Sequence, residues 1–168
     1  MKAYDWTSQI RPLYEKALAR YRAGHRDAET LFTAEEQETL QKIGAVPMEF
    51  YDYAEDADSL DWETALLILS ARRDYFLVVQ KGKLSESRLT MADFPAKNAE
   101  LEGIEWLPRI LKKAECRLRG ELPRDMMYGC GGDRAFLRKF DIHPADFLRE
   151  VWAAGGDEKK VLSYIKSR

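Results

Sequence analysis

The chain has 168 residues, 45% of them hydrophobic and 33% charged, which suffices for one good core and excludes several large ones. An aromatic content of 11% with four tryptophans argues against disorder, since disordered chains lack the apolar surface to offset their entropy. Lys+Arg 27 against Asp+Glu 29 leaves a net charge of -2, so no overall basic field draws in a polyanion, and nucleic acid is disfavoured as a partner.

The predicted elements are helices nearly throughout. Pro12 is placed to open a helix that carries Leu13, Ala17, Leu18 and Tyr21 on one face and stops at Gly24. Thr33 and Glu36 have the spacing of a capping box. The helix they start runs through Leu40 and Ile43 to Gly44, which is suited to a left-handed stop. Pro47 restarts the chain into a short helix through Met48, Tyr51 and Ala54. Asp61 can cap the most hydrophobic helix, from Trp62 through Leu66, Leu67, Ile68 and Leu69, whose apolar residues cover more than one face and predict a central position. Helix is favoured to continue beyond Arg72-Arg73-Asp74. Tyr75 to Val79 also has strand composition, and Lys81-Gly82 could close a hairpin onto Leu84 to Thr90. Residues 91–102 read as a connector. Beyond it, Trp106-Leu107-Pro108 opens an amphipathic helix that ends near Gly120. Asp133 is placed to cap Arg134 to Phe140, Pro144 starts a helix ending at Gly155-Gly156, and Asp157 caps the last one. The fold expected is therefore all-α and bundle-like, with room for one short β-hairpin near 75–90. It divides into an N-terminal helical segment, 1–90, and a C-terminal helical domain, 103–168, with a shared core left open.

The longest apolar run, Ala65 to Leu69, is broken at Arg72 well short of the roughly 20 residues that cross a bilayer, so no membrane partner is expected. The N-terminus lacks an apolar leader with a small-residue cleavage site. Only Cys116 and Cys130 are present, which fits a reducing compartment. Together these predict a cytoplasmic protein.

From about Gly103 the chain carries Leu107-Pro108-Arg109 before an amphipathic helix, then Tyr128, Cys130-x-x-Asp133, Phe136-Leu137, Phe140, Ile142, Phe147 and the Asp157 helix. In these features it resembles a small bacterial helical domain family catalogued only as a domain of unknown function. Members of that family usually carry proline and leucine between the cysteine and aspartate, where this chain has Gly131-Gly132. The resemblance implies a compact helical domain and brings no activity or cofactor.

Chemistry is best supplied by the turn Tyr128-Gly129-Cys130-Gly131-Gly132-Asp133-Arg134. Glycines let a backbone approach a ligand closely, and a helix N-terminus together with Arg134 would favour an anion or a thiolate. Cys130 is the candidate nucleophile; Tyr128, Gly129, Asp133, Arg134, Arg109 and Arg72 are candidate ligand-binding groups. The plainer reading is a tight turn in which Asp133 caps a helix and Cys130 packs. With only His25 and His143 beside the cysteines, no metal centre or cofactor is indicated. His143, before Pro144, reads most simply as an N-cap or a solvent-facing residue.

Charge is unevenly distributed. Residues 27–63 hold twelve acids and one base, a balance of -11, and residues 103–139 hold five acids and nine bases, a balance of +4. The basic helix with Arg109, Lys112, Lys113, Arg117 and Arg119 could touch phosphates, but docking on the acidic half, within one chain or between two, is simpler. The function expected is a helical protein-interaction or ligand-binding module, with self-association as one form. The alternative is an enzyme or small-anion-binding protein built on the turn around Cys130.

Overall fold

The computed structural model describes residues 4–87 and 89–168. Met1 to Ala3, the start of the stretch read as lacking a leader, and residue 88, within the second arm of the expected hairpin, lie outside the described residues. Two compact units are present, Met1–Lys83 and Leu84–Arg168.

The first unit consists of α1 (Trp6–Arg22), α2 (Ala34–Gln41), α3 (Pro47–Glu55) and α4 (Trp62–Val78). α1 begins almost two turns before Pro12, which lies inside it. The buried stripe explains this: Ile10 is fully buried in phase with Leu13, Tyr14 and Ala17, and its burial offsets the cost of an interior proline, about 3 kcal/mol. α1 packs chiefly on α3, whose buried face is Phe50, Tyr53 and Ala54. The Thr33 capping box forms as predicted: the Glu36 N–H donates to Thr33 Oγ1 at 3.3 Å, and the Thr33 N–H donates to Glu36 Oε2 at 2.8 Å.

α4 is capped by Asp61, which accepts from the Thr64 N–H at 2.8 Å. Its helix absorbs Tyr75 to Val78, and residues 84–87 form no strand. The favoured helix therefore forms here and the alternative hairpin near 75–90 does not, because Phe76, four residues beyond buried Arg72 and eight beyond buried Ile68, keeps the helical stripe going. Gly44, with φ +69°, lies so close to this helix that a Cβ would stand 2.6 Å from Phe76 Cγ. Only glycine fits there.

The second unit opens irregularly. The short hairpin lies at β1 (Glu100–Leu101) and β2 (Ile104–Glu105), paired antiparallel with Leu101 opposite Ile104. Its two-residue turn places both Glu102 (φ 47°) and Gly103 (φ 77°) in the left-handed region, the geometry that matches strand twist. Then follow α5 (Leu107–Arg119), α6 (Gly131–Arg138), α7 (Pro144–Ala154) and α8 (Glu158–Lys166). α5 packs on α7, and α7 on α6 and α8. Phe94, from the stretch expected as a connector, packs in a cluster with Cys116 and Met126. His143 is the N-cap of α7, its Nδ1 accepting from the Ala145 N–H at 3.1 Å.

α5 is the central helix of this unit. Nine of its 13 residues are buried, among them Arg109, Lys113 and Arg117. The basic helix foreseen as a phosphate-contacting or docking surface thus has three of its five cations in the interior. Their spacing of four residues puts them on one side of the helix, and the neighbouring segments close over that side.

Candidate functional site

α6 starts at Gly131, three residues earlier than predicted, with Cys130 as its N-cap. Asp133 is therefore not the cap but lies in the first turn, fully buried. From there its carboxylate reaches backward. Oδ2 accepts from the Gly129 N–H at 2.9 Å and from the Lys113 ammonium, while Oδ1 accepts from the Trp106 indole N–H at 3.0 Å. Lys113 is 3% exposed and also donates to Cys130 Sγ at 3.3 Å. One lysine thus contacts both the acid and the thiol of the turn.

Trp106 completes the cluster. Its backbone has φ 73°, a conformation that bulky residues rarely adopt. It is held there by its N–H bond to the Ala99 carbonyl at 3.0 Å and by the indole bond to Asp133. The indole lies against Gly132, where a Cβ would come within 2.8 Å of the ring. Gly132 is thus required by the tryptophan's approach, and no ligand need be invoked to explain it.

Arg134 donates to the Gly129 carbonyl at 2.6 Å and Arg109 to the Pro95 carbonyl at 2.6 Å. Tyr128, buried, donates its hydroxyl to the Pro144 carbonyl at 2.7 Å. Burial, reinforced by the Asp133 charge and opposed by Arg117, holds its phenol well above the usual value, so Tyr128 stays protonated. Burial also pushes Arg117 down to about 9, which leaves it cationic at neutral pH. Arg72 belongs to the first unit, where it is fully buried, donates to the Gly44 carbonyl at 3.0 Å and to Gln80 Oε1 at 2.5 Å, and lies over the Phe76 ring.

The structure therefore brings together Cys130, Asp133, Gly129 and Arg134, and adds two residues that sequence reasoning had not placed at this turn, Lys113 and Trp106. The Asp133 carboxylate sits where an external anion was expected, bound by an amide, an ammonium and an indole. Charge balance was the available signal: the turn holds a single acid, and a buried acid needs a cation from elsewhere. Which of nine bases supplies it is a tertiary fact. A shallow cleft in this unit has Leu111, Val151 and Val161 in its walls and includes none of the turn residues. Among the described residues, no group of three or more His, Cys, Asp or Glu is placed to hold a metal ion, and no helix is long and apolar enough to cross a membrane.

The chain matches no protein-family profile, no curated protein and no solved structure.

Proposed function

We propose that the chain is a helical interaction module that associates with a second copy of itself through the uncovered face of α4. The observation that carries this is the exposure of Leu67 (41%), Leu77 (40%) and Val78 (56%) on the most apolar helix of the chain. A helix that is hydrophobic all round belongs inside a core, and large apolar side chains left outside one mark a surface for a partner. Leu67 and Val78 are about three helical turns apart and share a face. Val79 extends the apolar surface beyond the helix end, and Lys81 and Lys83 follow it, exposed.

Charge favours a second copy as the occupant. The balance of -11 over residues 27–63 gives the lysine rim of one copy an acidic surface to meet on the other. Two free cysteines support a reducing compartment such as the cytoplasm. The likeness of residues 103–168 to a bacterial helical domain adds a compact scaffold to this reading and no chemistry.

Sedimentation velocity tests the proposal. The wild-type chain should shift toward dimer as concentration rises and shift back at high salt, and Val78→Glu should stay monomeric with unchanged helicity by circular dichroism. A wild-type monomer at every concentration refutes self-association, and a Val78→Glu variant that still dimerises refutes α4 as the surface.

A further inference from the structure

Lys113 and Cys130 form the one close pairing of an amine and a thiol among the hydrogen bonds described for this chain, with Nζ 3.3 Å from Sγ. The amine is nine-tenths buried and held from its other side by Asp133. The thiol is half-buried at the first position of the turn into α6. Neither group is free to turn away: α5 fixes the lysine, and Asp133 ties the backbone N–H of Gly129, adjacent to the cysteine. A separation of this size is that of a hydrogen bond, close enough that a small movement brings both atoms onto one inserted oxygen.

The geometry points to a modification site: on exposure to peroxide, Lys113 and Cys130 become joined covalently through a nitrogen–oxygen–sulfur bridge. In the first step the sulfur attacks a peroxide oxygen. A sulfur–oxygen bond forms, the oxygen–oxygen bond breaks, one water leaves, and the thiol is oxidised to a sulfenic acid while the peroxide is reduced. Lys113 passes its ammonium proton to the Asp133 carboxylate it already touches, which frees the nitrogen lone pair. A second peroxide then removes one hydrogen from the sulfenic hydroxyl and one from the amine as the nitrogen–oxygen bond closes, and both its oxygens leave as water. One thiol, one amine and two peroxides give one bridge and three waters. Cys116 is an internal control, since it is fully buried, burial pushes its thiol up, and the donor to its sulfur is the Arg119 guanidinium at 3.8 Å, which is no amine.

The test is peroxide treatment of the full chain, tryptic digestion without reductant, and mass spectrometry. A peptide ending beyond Lys113 should appear joined to the Cys130 peptide, heavier than their sum by one oxygen and lighter by two hydrogens. Cleavage after Lys113 should be lost, and dithiothreitol should restore it. Lys113→Arg should accumulate dimedone-reactive Cys130 with no joined species. Should that variant misfold, the wild-type digest decides by itself. Cys130 recovered as a trapped sulfenic acid, as a higher acid or as unchanged thiol, with cleavage after Lys113 intact, overturns the proposal.

Discussion

Lys113 and Asp133 show how a single buried charge dictates its surroundings. Two ions withdrawn from water need complete hydrogen bonding to be tolerated, and Asp133 has it: an amide, an indole and an ammonium. Removing only the cation leaves a buried carboxylate short of a partner. Lys113→Met is therefore expected to destabilise the chain by about 3–5 kcal/mol in denaturant unfolding, and the double variant Lys113→Met, Asp133→Asn should recover part of that loss. Equal losses in the single and double variants would show that the pair carries no coupling. Cys130 and Asp133 were legible in the sequence as members of one turn. Their connection to Lys113 and Trp106 was not, because those residues lie 17 to 27 positions away along the chain, and no local spacing rule operates over that distance.

At the scale of the helix, local signals placed most boundaries and tertiary burial moved the rest. The capping box at Thr33 and Glu36, the Asp61 cap and the restart at Pro47 each act through atoms three residues apart or fewer, so sequence spacing specifies them. Glu36 does more than cap: both its oxygens also accept from Lys16 of α1, at 2.6–2.7 Å. Partial burial raises its carboxyl, but the lysine and the Thr33 N–H outweigh that and hold it below the usual value. A depressed carboxylate stabilises the fold above its unfolded pKa of about 4.3 and loses that contribution as pH falls through the lower folded value. Glu36→Gln should accordingly lower the melting temperature at pH 7 and converge with wild type in acid. A deficit independent of pH would assign the effect to packing instead. The α1 start at Pro12 failed because it rested on a local residue preference and the burial of Ile10 in helical phase prevailed; the burial of Phe76 in helical phase likewise decided for the favoured helix over the alternative hairpin near 75–90.

For the whole molecule, the division into Met1–Lys83 and Leu84–Arg168 has a direct consequence. Each unit buries its own set of large side chains, Ile68, Leu69, Arg72 and Phe76 of α4 in the first and Leu107, Ile110 and Leu118 of α5 in the second. A fragment spanning 84–168 should therefore be helical and unfold cooperatively by itself. A fragment without a cooperative transition would show that this unit depends on residues 1–83. Two helices, α4 and α5, also reverse the expectations held of them. The apolar one, α4, leaves Leu67, Leu77 and Val78 exposed, and the basic one, α5, buries Arg109, Lys113 and Arg117. Composition indicates which helix is apolar, but the number of neighbours that close around a helix decides which is covered.

The sequence by itself determined the helical class, the main caps and stops, and the turn around Cys130, because each depends on contacts within a few residues. Only the tertiary structure decided that Asp133 serves as the internal anion of that turn, that Lys113 stands against the thiol, and that α4 keeps an uncovered apolar face. These depend on which distant segments meet, and a buried charge or an exposed leucine acquires its meaning only from what is packed against it.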